Sequence, residues 1–410
     1  QSCIDDVPCF ARRSGHGDGM KITEVVATWV RIPIPEARQH ISDFGRAETF
    51  DTVIVRIDTD AGITGWGEAK IAAGSSGNYA GMAALINEEM APILRGENPC
   101  GINRIWELLY NGSRARFALE RGHVFPAMAR RGISIAAMSG IDIALWDILG
   151  KSLGAPLHQL LGGKRVERMP AYASGGWAAA DGTGAQLRGY IETGGFRAVK
   201  MRVGIQDGSP WKSAERVMAA REAIGPDVDL MCDAHGTLTV SEAKEFCYLV
   251  RDCRVAWFEE PVTADDPRGL AEVRRSTHIP IAAGESEFTR FDFRVLIENG
   301  AVDIVQPDLA ICGGVTEAVR IASLVSAANL RLAPHLWAGA PAFAAGLHVA
   351  AASSCGFILE YSLGAIPMIH ELVPESFPVE EGFIEIPDRP GLGITPDPSF
   401  VERHAMRGMG

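Results

Sequence analysis

The run Asp229-Leu230-Met231-Cys232-Asp233-Ala234-His235-Gly236, followed by Val255-Ala256-Trp257-Phe258-Glu259-Glu260-Pro261 and by Ile279-Pro280-Ile281-Ala282-Ala283-Gly284-Glu285, sets the architecture of the chain. Each run opens as a short apolar segment rich in β-branched or aromatic residues and closes on an acid. Each is separated from the next by a stretch of helical length and composition. Short apolar strands alternating with helices are the pattern of βα units in a parallel sheet. Working outward, the same texture covers Met169 to Ala173 and Ala198 to Val203 upstream, then Asp303 to Val305, Arg331 to Ala333 and Phe357 to Leu359 downstream. That makes eight candidate strands, the number that closes an α/β barrel.

The ionisable residues at the strand ends say more than the count. Lys200 and Arg202 lie in the second strand; Asp233, Glu259, Glu285, Asp308, His335 and Glu360 follow the next six, at intervals of 23 to 33 residues. In a (β/α)₈ barrel those ends ring one mouth, where active sites of the fold sit. Asp233, Glu259 and Glu285 would stand side by side, and three like charges in a partly buried site push one another toward protonation unless a cation joins them. Oxygen ligands without cysteine favour a hard divalent ion, Mg²⁺ first and Mn²⁺ second. Helix caps or ion pairs account for one such acid more readily than for three on consecutive strands. Asp308 and His335 end adjacent strands, so the carboxylate can hold one imidazole nitrogen and leave the other as a base. Lys200 is either a second acid or base, if burial and a nearby cation lower its pKa, or an ion-pair partner of the acids. Arg202 stays protonated and suits a carboxylate or oxyanion.

Upstream, Val25 to Ile32, Thr52 to Asp58 and Ile63 to Glu68, with a turn at Asp60-Ala61-Gly62, read as a three-stranded antiparallel meander. The connection from Pro35 to Arg46 is longer than a hairpin needs. It is either a loop covering the mouth, with His40, Arg38 or Arg46 touching substrate, or a plain exposed loop. Helical periodicity then runs from Tyr79 to Leu149. The polar, Gly-rich opening from Gln1 to Gly19 has no signal-peptide hydrophobic region and is read as an extension outside the fold.

Composition agrees with an ordinary globular enzyme-sized chain: 410 residues, 47% hydrophobic and 22% charged. A net charge of −12 repels a nucleic-acid backbone or an anionic membrane, so an anionic ligand needs a local positive centre. The eight cysteines form no C-x-x-C pair, which argues against a zinc module and for reduced thiols in a cytoplasmic protein. No run approaches the roughly 18 uninterrupted apolar residues of a membrane span.

Several stretches together resemble the enolase superfamily, in its mandelate racemase subgroup. They are Gly62-Ile63-Thr64-Gly65-Trp66-Gly67-Glu68, Ser139-Gly140-Ile141-Asp142-Ile143-Ala144-Leu145-Trp146-Asp147, Leu160-Leu161-Gly162-Gly163, Val199-Lys200-Met201-Arg202-Val203-Gly204, Trp257-Phe258-Glu259-Glu260-Pro261, Ala283-Gly284-Glu285, and Gln306-Pro307-Asp308 with Gly313-Gly314. The resemblance implies a modified (β/α)₇β TIM barrel over residues 141–365. It also implies an α+β capping domain over residues 20–140 and a C-terminal segment, 366–410, returning to the cap. It implies Mg²⁺ on Asp233, Glu259 and Glu285, a His335–Asp308 dyad, and Glu360 bonded to the enolate oxygen of a substrate carboxylate.

Two departures bear on the reaction. Where racemase-like members carry Lys-x-Lys, this chain has Lys200-x-Arg202, which counts against a racemase built on the second lysine. Asp233-Ala234-His235 resembles the pattern of galactonate- and mannonate-type dehydratases, whose histidine protonates a departing 3-hydroxyl; a loop histidine bonded locally is the alternative. The expectation is a Mg²⁺-dependent dehydratase of an aldonate or aldarate. A racemase or epimerase using Lys200 and His335 is the second reading, and a non-catalytic acid-binding barrel the third. His40, Arg46 and the Trp337-Ala338-Gly339-Ala340 loop are the expected substrate contacts, the partner a small carboxylate, and the assembly a homo-oligomer.

Overall fold

The computed structural model describes residues 19–36, 39, 41–42, 45–71, 78–112, 131–364, 366–375 and 377–406. His40 and Arg38 lie outside them.

The meander forms as the sequence suggests. β1 (Ile22–Pro33), β4 (Thr49–Thr59) and β5 (Thr64–Ala69) pair antiparallel in the order β1-β4-β5. The long connection carries a small hairpin, β2 (Ile41–Ser42) on β3 (Gly45–Arg46). Helix Ile133–Leu153 lies directly on this sheet. The contact explains the glycines of the Gly65-Trp66-Gly67 run: a Cβ at Gly67 would stand 1.9 Å from the Gly140 carbonyl oxygen, and one at Gly65 2.2 Å from that of Ala144. Only hydrogen side chains allow backbones this close. By length and apolarity this helix could cross a membrane, but it is an interior helix, with 78% of its apolar window buried.

The second unit is the expected parallel sheet. β6 (Arg168–Gly175), β7 (Ala198–Arg202), β8 (Asp229–Asp233), β9 (Val255–Glu259), β10 (Ile281–Ala283), β11 (Ile304–Val305) and β12 (Arg331–Leu332) neighbour one another in sequence order. β13 (Leu359–Ser362) pairs parallel with β6, and a single Leu332–Gly356 bridge spans the side toward β12. Tyr172, Ala198, Met231, Trp257, Ala282, Ile304, Ala333 and Ile358, one from each successive strand segment, form one buried interior cluster. Helices between the strands cover the outside, as a parallel sheet requires.

Most strand ends shift by a residue or two from the sequence reading, and at β10 and β13 the reason is visible. β10 starts at Ile281 rather than Ile279, because Pro280 has no N–H to give to the ladder. β13 spans Leu359–Ser362 rather than Phe357 to Leu359, because its partner is Ala171 to Ser174. Glu360 is therefore inside the strand, not beyond it. After the barrel, β14 (Val379–Glu380) and β15 (Phe383–Glu385) form a hairpin on β6, and the chain returns to β1, where Met406 N–H donates to the Trp29 carbonyl at 2.8 Å. Among the described residues the six cysteines are free thiols.

Candidate active site

Strand pleating sets the site. Ala198, Lys200 and Arg202 share one face of β7, so Lys200 and Arg202 stand above an interior residue and reach the mouth. Lys200 is fully buried, and its ammonium meets Glu259 Oε1 at 2.5 Å, Glu360 Oε1 at 3.1 Å and Asp233 Oδ2 at 3.3 Å. Burial alone would depress an ammonium pKa, yet Glu259 and Glu360 together outweigh it and hold Lys200 above its ordinary range. Of the two sequence readings of Lys200, this geometry is that of the ion-pair partner: three carboxylates crowd the amine. Arg202 pairs with Asp233.

Glu259 is further occupied, accepting from Trp257 Nε1 at 2.9 Å and Gln306 Nε2 at 2.8 Å. Gln306 belongs to the Gln-Pro-Asp run but had no role from sequence, since an amide alone signals little chemistry. On the facing side, His335 Nδ1 lies 2.8 Å from Asp308 Oδ2, the dyad geometry. Its Nε2 lies 3.3 Å from Glu285 Oε2 and 3.9 Å from Glu360 Oε2. Burial opposes a charged imidazole here, but Glu285, Glu360 and Asp308 overcome it and raise the His335 pKa. Burial also works against ionised Glu360, and Lys200 and His335 overcome it, lowering its pKa. His235 is driven well below its ordinary value, first by burial and then by Arg202. Its backbone takes φ 47°, and its N–H donates to Asp233 Oδ1 at 3.0 Å.

Donor atoms of Asp233, His235 and Glu285 lie within 4.8 Å of one another. Glu285 Oε2 and Glu260 Oε1 are buried without a hydrogen-bond partner. Burial, then Glu285, Glu259 and Glu287, pushes the Glu260 carboxyl well above its usual range. Such crowding of carboxylate oxygens fits a hard divalent cation. In the described structure Asp233 and Glu285 group with His235, while Asp233 and Glu259 both reach Lys200. A cavity of 560 Å³ opens beside them, with Arg131, His235, Glu260, Glu285, Glu287 and Phe288 in its wall. Glu260 is a wall residue that spacing did not single out, because its neighbour Glu259 ends the strand. Trp337 is half-buried, edge-on to Trp177 at 5.7 Å, and Arg46 is exposed on the β2–β3 hairpin.

Residues 182–400 match the family model described as enolase C-terminal domain-like, and residues 23–162 match the mandelate racemase / muconate lactonizing enzyme N-terminal domain. The chain belongs to the enolase superfamily. It is 35% identical over 363 residues to D-galactonate dehydratase of Ralstonia pickettii (strain 12J), covering 85% of this chain and 90% of that protein. It is 33% identical over 366 residues to arabinonate dehydratase of Saccharolobus solfataricus, covering 88% and 93%. A racemase from Streptomyces coelicolor A3(2), solved with bound magnesium, superposes with a TM-score of 0.81 at 29% identity, covering 94% of this chain and 100% of that one. The fold is the superfamily's cap and α/β barrel, and the protein is an enzyme, a hydro-lyase by its dehydratase relatives.

Proposed function

We propose that this superfamily member dehydrates a sugar acid, an aldonate or aldarate, to a 2-keto-3-deoxy acid. The observation that carries the reading is the placement of two histidines around Glu285: His335, oriented by Asp308, faces it at 3.3 Å, and His235, past the end of β8, groups with it and lines the cavity whose wall Glu285 shares. His335 Nε2 takes the proton α to the substrate carboxylate, with Asp308 fixing the tautomer through Nδ1. His235 would give a proton to the 3-hydroxyl as it leaves, so that water departs instead of hydroxide; burial and Arg202 favour its neutral form, so this role requires it to take up a proton in the substrate complex. The enol product tautomerises to the keto acid. Lys200, kept charged by its carboxylates, adds positive field beneath the substrate carboxylate, and Glu360, which pairs with Lys200 as a carboxylate without substrate, would have to be protonated to donate to the enolate oxygen. Asp233, Glu259 and Glu285 would hold Mg²⁺, or Mn²⁺ in its place, and a bound ion supplies Lewis-acid polarisation of the carboxylate. Specificity at Trp337, His40 and Arg46 is part of the same proposal.

The grouping within 4.8 Å favours one second reading, in which His235 replaces Glu259 as a ligand. His235→Asn separates the two. As the acid, its loss stops dehydration but leaves exchange of the C2 proton in deuterated buffer and Mg²⁺ affinity intact; as a ligand, its loss removes all three. For the function itself, a stereochemically complete set of aldonates and aldarates is incubated with Mg²⁺ and the keto product trapped with semicarbazide. Inversion with deuterium uptake and no carbonyl product would make the enzyme an epimerase instead.

A further inference from the structure

Glu68 and Lys70, at the end of cap strand β5, are buried at 0% and 4% exposure, and the mechanism uses neither. Both reach across to the barrel. Glu68 accepts from Gly339 N–H at 2.8 Å and Ala342 N–H at 3.3 Å, and from Thr52 Oγ1 at 2.8 Å. It thereby caps helix Ala340–Ala352, whose own N-cap residue, Gly339, provides no side-chain cap. Gly339 makes room for this: a Cβ there would stand 3.0 Å from both carboxylate oxygens. The Lys70 ammonium donates to the Trp337 carbonyl, and its backbone N–H donates to Ala310 O at 3.1 Å. Trp337 is two residues past His335, and Ala310 two past Asp308. One edge of the cap therefore grips both loops that carry the dyad.

On the barrel side His335 is held through its Nδ1 contact with Asp308 at 2.8 Å, from short strands. β11 and β12 are two residues each, and beyond them stand one Asp308–His335 bridge and the Leu336 N–H bond to Glu360. We infer that Glu68 and Lys70 are positioning residues, which set the His335 imidazole against Asp308 and the substrate from the cap side. This rests on His335 being the base. A misplacement of about 1 Å at a reacting group costs on the order of 100-fold in rate, so a tie this close to the imidazole bears on kcat more than on binding.

The test measures kcat, KM, C2-proton exchange and thermal melting for the full-length Lys70→Met and Glu68→Gln enzymes, with His335→Asn alongside. The inference expects kcat and exchange to fall by about tenfold or more in both cap variants, with KM moving by less than about threefold and folding retained. Lys70→Arg should recover part of the lost kcat, because it restores a donor to the Trp337 carbonyl. Wild-type kcat in both cap variants overturns the inference, as does a loss of kcat that merely tracks a loss of folded protein. If His335→Asn keeps its exchange, the base assignment itself falls; if His335→Asn loses exchange while both cap variants keep it, only the positioning role falls.

Discussion

Lys200 is the residue on which the charge balance of the mouth turns. Asp233, Glu259 and Glu360 all reach its ammonium, and none of the four is exposed. Removing one partner of a buried ionic cluster leaves uncompensated charge, which costs about 3–5 kcal/mol. Lys200→Met should therefore destabilise the metal-free protein by about that amount in urea denaturation, and added Mg²⁺ should recover part of it by neutralising the same acids. An unchanged unfolding midpoint in EDTA would show that the acids do not depend on Lys200. The sequence announces the ammonium and the carboxylates, but not which partner each one takes, because partner choice follows through-space distances across three strands.

Helix Ile133–Leu153 is the element that joins the two units, and its polar residues explain how. Asp142 accepts from Thr316 N–H at 2.9 Å and Thr316 Oγ1 at 2.6 Å, fastening the helix to Gly314–Ala327. Asp147 accepts from Trp66 N–H, Leu392 N–H and Lys151, tying cap sheet, helix and C-terminal segment together. Burial pushes the Asp142 carboxyl up to about 7, against the Thr316 donors. A carboxyl raised above its unfolded pKa of about 3.9 binds a proton in the folded state that the unfolded chain has lost, so its stability contribution is full below about pH 4 and disappears as pH rises through about 7. Denaturation of wild type and Asp142→Asn at pH 5 and pH 8 should show the variant gaining on wild type at the higher pH, by an amount on the order of a few kcal/mol. A pH-independent difference would mean that Asp142 ionises normally. The close helix–sheet contact makes a second prediction at this scale. Gly67→Ala places a methyl where the Gly140 carbonyl stands, and overpacking of this kind costs about 1–3 kcal/mol or more, which a lowered melting temperature would report. A Gly67→Ala enzyme that melts with wild type would mean that the two backbones separate without cost.

For the whole molecule, the net charge of −12 acquires a local meaning at the barrel mouth. The acids concentrated there would hold a small anion only with a cation between them. Mg²⁺ should raise the melting temperature in a concentration-dependent way, since a ligand of the native state stabilises it by mass action. Asp233→Asn should abolish that shift, and EDTA should stop keto-acid formation until Mg²⁺ is restored. A melting temperature indifferent to Mg²⁺ in the wild type would remove the metal site.

The βα repeat, the ring of ionisable strand ends and the meander were legible in the sequence because they depend on local periodicity and covalent spacing. The glycines at 65, 67 and 140 were visible as a motif, though their reason, two backbones in contact, was not. Tertiary structure alone decided the rest. It turned Glu259 to Lys200 and Gln306, set Glu285 against His335, and carried Glu68 across 271 residues to cap a barrel helix. Burial and through-space charge govern each of these, and neither is defined until the chain has folded.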